Sequence, residues 1–225
     1  MRWRRFRYRR QVAGSALATC WDAAGPKRRQ FWPQVEYLAC DAEMSSLNVD
    51  EGELLSLGWV PVIGGSIRLG EAQHHLIAAQ TGVGQSAGIH QLRDCDLENA
   101  EAESVVLTHF CRAAAGRLLV FHHAPLDLAY LNRACQRHFG APLLLPCLDT
   151  MMIEKRRRDR TDTVVAHGSL TLTACRRRYS LPAYPVHNAL VDALATAELF
   201  QAQAAYSGAI TRSGRHKPAR LGDLL

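Results

Sequence analysis

The sequence predicts an α/β fold: a mixed five-stranded sheet, in which an antiparallel meander joins parallel strands, flanked by helices. Three observations carry this. Val35 to Cys40 is a continuous apolar run, followed by a second run from Glu53 to Val62, a turn at Ile63-Gly64-Gly65-Ser66 and a further strand from Ile67, which is the order of a meander. Leu118 to Phe121 is a short, wholly apolar strand, and the strand, helix, strand order from Leu118 to Asp149 implies parallel pairing. Between these blocks, Glu98 to Ala115 sets Val105, Val106, Phe110 and Ala113 at helical spacing and is ended by Gly116.

The remaining elements follow in order. A helix begins around Pro125, which suits a first-turn position, with Leu128, Leu131 and Cys135 on its inner face and Asp127 in its first turn. Leu170, Leu172, Ala174 and Tyr179 suggest a helix ending near Ser180-Leu181-Pro182. A loop then leads through His187 into a long apolar helix from Ala189 to about Ala205, with Asp192 one turn inside it. The chain divides into a basic, partly disordered extension over 1–34, one folded domain over 35–206 and a flexible tail over 207–225.

At 225 residues the chain is long enough to bury a full core. It contains no run of about 18 apolar residues, so no membrane partner is expected. Its seven Cys are scattered without a Cys-x-x-Cys pair, which argues against a disulfide framework or a structural zinc and makes a reducing, cytoplasmic setting the default.

Charge is concentrated at one end. Six of the 27 basic residues, Arg2, Arg4, Arg5, Arg7, Arg9 and Arg10, lie in the first ten positions with no acid, and they account for the whole formal excess of +6. Interleaved with Trp3, Phe6 and Tyr8, they suit tracking of a phosphate backbone with stacking on bases. A solvated disordered tail and a targeting segment are the other readings. Arg156, Arg157, Arg158 and Arg160, with Arg176, Arg177 and Arg178, are open to two readings: guides for nucleic acid or solvated helix faces.

Four carboxylates and one histidine carry the chemistry. Asp41 and Glu43 close the first strand and, two residues apart, project from the same face, so both reach one metal. Asp127 and Asp192 add two further acids. Hard carboxylate oxygens suit Mg²⁺ or Mn²⁺, which commonly pair with substrate phosphate oxygens, so the set accommodates two divalent cations acting on a phosphate ester. His187 is a credible base at neutral pH.

Asp41-Ala42-Glu43-Met44, His122-His123-Ala124-Pro125-Leu126-Asp127 and His187-Asn188-Ala189-Leu190-Val191-Asp192-Ala193 resemble the three motifs of the DEDDh 3'-to-5' exonucleases, whose best-known member is the epsilon proofreading subunit of the bacterial replicative polymerase. Those motifs run Asp-x-Glu-Thr, His-Asn-Ala-x-Phe-Asp and His-x-Ala-Leu-x-Asp-Ala. The resemblance spans roughly Glu36 to Phe200 and includes Ile89-His90-Gln91-Leu92, Leu148-Asp149-Thr150 and Leu170 to Tyr179. It implies an RNase H-like sheet and a two-metal hydrolysis that releases nucleoside 5'-monophosphates from a 3' end. In that scheme Asp41, Glu43 and Asp192 hold the metal that activates water, Asp41 bridges to a second metal supported by Asp127, and His187 takes the proton. Met44, Leu126 and His123 stand where the family has Thr, Phe and Asn, and with His90 they form the expected grip on the terminal nucleotide. All the titrating positions are kept.

The expected substrate is a single-stranded 3' end, with DNA the first choice and RNA or oligoribonucleotides the alternative. A DNA polymerase and a second copy of the chain are the candidate protein partners, and Leu221-Gly222-Asp223-Leu224-Leu225 offers a weak docking peptide. A third reading, a catalytically silent nucleic-acid-binding module, is motivated by Met44 and Leu126.

Overall fold

A computed structural model describes residues 2–79, 94–160, 166, 168–185, 187–210 and 216–225. The central sheet contains β1 (Tyr37–Met44), β2 (Leu54–Ile63), β3 (Ser66–Ile67), β4 (Gln73–Leu76), β5 (Leu118–Phe121) and β6 (Cys147–Asp149). Around it lie α1 (Arg2–Tyr8), α2 (Ala16–Asp22), α3 (Asp94–Leu97), α4 (Glu103–Ala114), α5 (Ala124–Phe139), α6 (Thr150–Asp159), α7 (Leu172–Arg178), α8 (Ala189–Tyr206) and α9 (Leu221–Leu224). Strand β1 is central, antiparallel to β2 on one side and parallel to β5 on the other, and β6 continues the parallel half.

The meander is present, but its outer rank is two short strands where the sequence suggests one. Both β3 and β4 pair with the same edge of β2, at Val62 and Ile63 and at Ser56 to Trp59 respectively. The break falls at Pro61. Its carbonyl points to that edge and accepts from the Arg68 amide at 2.9 Å, while its ring nitrogen has no hydrogen to offer there.

Alternation along β1 sorts its side chains into two cores. Leu38, Cys40 and Ala42 face a cluster with Leu57, Trp59, Phe110, Leu131 and Cys135, whereas Tyr37 and Ala39 face one with Val60, Val62, Ala197, Phe200 and Ala204. Asp41 and Glu43 thus share the face of β1 that α8 covers.

The helix expected over 98–115 begins later, at Glu103, because Glu101 pairs with the end of β4 instead: its amide donates to Leu76 and its carbonyl accepts from Ala78. Its buried stripe is also shifted. Val106, Leu107, Phe110, Cys111 and Ala114 face inward, and Val105 is exposed. In α5, Leu131 and Cys135 are buried as expected, and Leu128 is half-buried.

The segment over 1–34, expected to be basic and partly disordered, contributes to the main core. Val12, Leu17, Cys20 and Trp21 are buried there, and the Trp21 indole donates to the Leu143 carbonyl at 2.7 Å. Arg5 donates to the carbonyls of Leu144 and Trp21. The tail expected to be flexible also docks. Leu221 and Leu224 are buried in the second core, and the amides of Leu221 and Gly222 donate to the carbonyls of Gln30 and Arg28. Leu221 and Leu224 are therefore spent inside the protein and unavailable to a partner.

Replacement of Trp21 by Ala deletes a buried ring and its hydrogen bond, so a loss of about 3 kcal/mol is expected in urea unfolding. A variant as stable as the parent would show that residues before Val35 lie outside the cooperative unit.

Candidate metal centre

The site forms where the sheet splays. Strands β1 and β5 pair only as far as Ala39 and Val120, so the last residues of β1 and the chain after β5 diverge into a crevice at the carboxyl ends of parallel strands. Asp41 and Glu43 line it from β1. The chain leaving β5 turns through His123, held at φ 67° in the left-handed region, and enters α5 with Asp127 in its first turn. Asp127 is 7% exposed, and its carboxylate accepts from the Ala42 amide at 3.1 Å, an edge position that β5 no longer covers. Asp149 fixes this corner, accepting from the amides of His123 at 3.0 Å, Ala124 at 3.1 Å and Met151 at 2.9 Å.

Helix α8 delivers the remaining residues by a similar device. His187 also lies at φ 67°, its amide donating to the Asp192 carboxylate at 2.8 Å, and Asn188 caps the helix by accepting from the Val191 amide. The His187 ring is exposed on the pocket. Gly58 sets how close α8 comes. It pairs with Asp41 in the β1–β2 register, and a Cβ at this position would run into the backbone of Ala189 and Leu190. A glycine inside a strand signals such close approach, and this one was legible in the sequence.

One oxygen from each of Asp41, Glu43 and Asp192 lies within 4.8 Å of the others. Around an octahedral Mg²⁺ adjacent oxygens stand about 3 Å apart and opposite ones about 4.2 Å, so the three carboxylates reach one ion by closing inward. Asp127 lines the same cavity of about 630 Å³ without joining that cluster. Met44, Leu126 and His123 line it too, as do Ser45, Ser46 and Leu47, which sequence reasoning missed. Leu47 is 81% exposed at the lip; its one legible signal was an apolar residue just beyond the strand end. His90 lies outside the described residues. His122 is occupied structurally, its ring nitrogens bound to the Thr150 hydroxyl and the Leu170 carbonyl.

The arginine clusters separate on inspection. Arg176 is buried, donating to the carbonyls of Ala195 and Pro182 and to Glu198. Arg178 donates to buried Glu154, Arg157 lies between the rings of Tyr179 and Tyr206, and Arg156 holds the Leu224 carbonyl. All four are held by contacts within the fold, Arg176 buried and Arg156, Arg157 and Arg178 still partly exposed.

Crowding of like charges in a half-buried site disfavours ionisation. Burial, then Asp127, Asp192 and Glu43, push Asp41 well up. Burial and Asp192 push Glu43 up to about 7. Burial pushes Asp127 up to about 7 against the amide bonds that favour its anion, and Asp192 is raised chiefly by burial. Without a cation, the folded protein therefore retains protons that an unfolded chain releases near pH 4. The contribution of these acids to stability is then full below about pH 4 and falls as pH rises to about 7. In EDTA the melting temperature should drop across that window, and Mn²⁺ should raise it most at the alkaline end. A metal-independent melting temperature at pH 7.5 would contradict the assignment.

The family profile described as Exonuclease (RNase T) matches residues 38–200. A DNA polymerase III subunit epsilon-like protein of Rhodobacter capsulatus is 27% identical over 174 residues, 74% of this chain and 23% of that protein, so the chain spans about a quarter of that relative's length. Among solved structures, cell-death related nuclease 4 aligns with a TM-score of 0.63 at 14% identity, over 75% of this chain and 63% of that one. Exonuclease X in complex with 5' overhanging duplex DNA gives 0.56 at 20% identity, over 74% and 90%. E. coli exonuclease I in complex with a dT13 oligonucleotide gives 0.61 at 12%, over 75% and 40%. These likenesses establish the RNase H-like exonuclease fold, and the profile, which covers the sheet and every acid of the crevice, places the chain in the RNase T family of exonucleases.

Proposed function

We propose that the protein is a 3'-to-5' exonuclease that removes nucleoside 5'-monophosphates from single-stranded nucleic acid, DNA before RNA, with two divalent cations, Mg²⁺ or Mn²⁺. The convergence of Asp41, Glu43 and Asp192 carries this reading. Two acids at a strand end and a third from α8 repel one another and any phosphate, an arrangement that becomes favourable once cations neutralise it.

Asp41, Glu43 and Asp192 would hold one ion, and Asp41 with Asp127 the other, directly or through water. Bound there, the cations supply Lewis-acid polarisation of the scissile phosphate and a lowered pKa for the attacking water. His187, its backbone tied to Asp192 and its ring exposed on the cavity, accepts the proton of that water. Met44, Leu126 and Leu47 offer an apolar wall for the terminal base and sugar, and His123 stands exposed at the rim. Met44 brings no hydroxyl to that wall, so sugar contacts there are apolar. The first two helical turns, those of α5 and α8, direct their positive ends to the same crevice and favour anionic groups within it.

Purified protein is incubated with 3'-labelled and 5'-labelled single strands of DNA and RNA in Mg²⁺, Mn²⁺ or EDTA. Mononucleotides should leave the 3' end only with metal. His187→Ala should slow cleavage by about 10² to 10⁴-fold, the range of one general base, and Asp41→Asn should abolish it. Release from the 5' end would sink the polarity, and RNA cleaved in preference to DNA would reverse the substrate order. Binding without cleavage under every condition would leave a silent module.

A further inference from the structure

We infer that the basic helix α1 and the groove beneath it form a second nucleic-acid site, which holds the strand at a distance from its cleaved end. This rests on the reading that the protein acts on nucleic-acid strands. The groove encloses about 760 Å³ and is lined by Arg5, Arg9 and Arg117 together with the rings of Phe6 and Trp21. Phosphates and bases need this pairing of cations with aromatic faces.

The charge is available. Arg5 donates to main-chain carbonyls and stacks on Trp21, while Asp22 acts on it through space and is ion-paired to Arg9 instead. Arg9 pairs with Asp22 where both are about two-thirds exposed, a contact weak enough for a phosphate to replace. Arg4 and Arg7 are exposed and, among the described residues, pair with no acid. Trp3 is 76% and Phe6 74% exposed. Arg7 follows Trp3 by one turn, which breaks the apolar face an interfacial helix would need to enter lipid and favours stacking between phosphate contacts.

Position gives the site its purpose. Gly116 and Arg117 precede β5, and Leu145 and Pro146 precede β6, so the groove lies at the amino ends of strands whose carboxyl ends carry the acids. Arg117 pairs with Glu36, five residues before Asp41 along β1, a separation of about 17 Å. That is about five nucleotide steps at the stacked rise of about 3.4 Å, before the path around the surface is added. A strand of only a few nucleotides fills the crevice alone, and a longer one reaches the groove as well.

The test is fluorescence anisotropy in EDTA, where nothing is cleaved, with single-stranded DNA of about 30 nucleotides and of about 4 nucleotides. Arg4→Glu/Arg7→Glu and Trp3→Ala/Phe6→Ala should each weaken binding of the long strand about tenfold, the charge variant should lower its salt dependence by about one unit in slope, and Arg4→Lys/Arg7→Lys should retain binding. Equal affinity of the parent and both disruptive variants for the long strand would overturn the proposal. So would phosphatidylserine vesicles responding to these variants while the strand does not. Failure of the exonuclease reading would show as absent cleavage in metal, a separate measurement that leaves the binding result standing.

Discussion

Mutual repulsion among carboxylates is the constraint around which the molecule is arranged. Asp41, Glu43 and Asp192 each bring an oxygen within 4.8 Å of the others, and Asp127 lines the same cavity. Nothing in a hydrophobic core favours this, and burial raises every one of their pKa values. Two of the four acids are tethered by backbone amides, Asp127 by that of Ala42 and Asp192 by that of His187. Two helix amino termini point into the same space and offset part of the repulsion. The sheet supplies a rigid anvil, with β1 clamped on both sides up to Ala39, and the helices bring the opposing jaws.

The acids were legible in the sequence because chemistry restricts which residues perform it, and short spacing on one strand or in one helical turn translates directly into direction. Asp41 and Glu43 needed only the two-residue period of a strand. Asp149 was less transparent. Beside Thr150 it reads as a helix cap, which it is, but its bonds to His123 and Ala124 join segments 25 and 26 residues apart, and no local pattern encodes that. Gly58 sits between these cases. Its presence in a strand was a visible anomaly, while the helix it admits is 131 residues away in the chain.

Composition misled where charge hid burial. The first ten residues look like a solvated arm, yet Arg5 reaches a carbonyl 139 residues on, and the Trp21 indole donates to the carbonyl just before it. Arg176, Arg178 and Arg157 likewise looked like a polar face and are bound internally. Guanidinium groups serve this role well, since five donors on a planar fork satisfy several carbonyls or a carboxylate at once. The shifted start of α4 has a similar origin: Glu101 had an extended partner in β4 that helical periodicity cannot register.

The left-handed turns at His123 and His187 carry a further consequence. A non-glycine residue in that region holds backbone strain of order 1 kcal/mol, and here each is retained by a carboxylate bound to its amide. The jaws of the crevice therefore carry strain that β1, locked in its sheet, does not. A ligand entering the crevice would meet a fixed floor and two spring-loaded corners, so occupancy would be felt first as slowed amide exchange at the entrances of α5 and α8, with the sheet beneath unchanged.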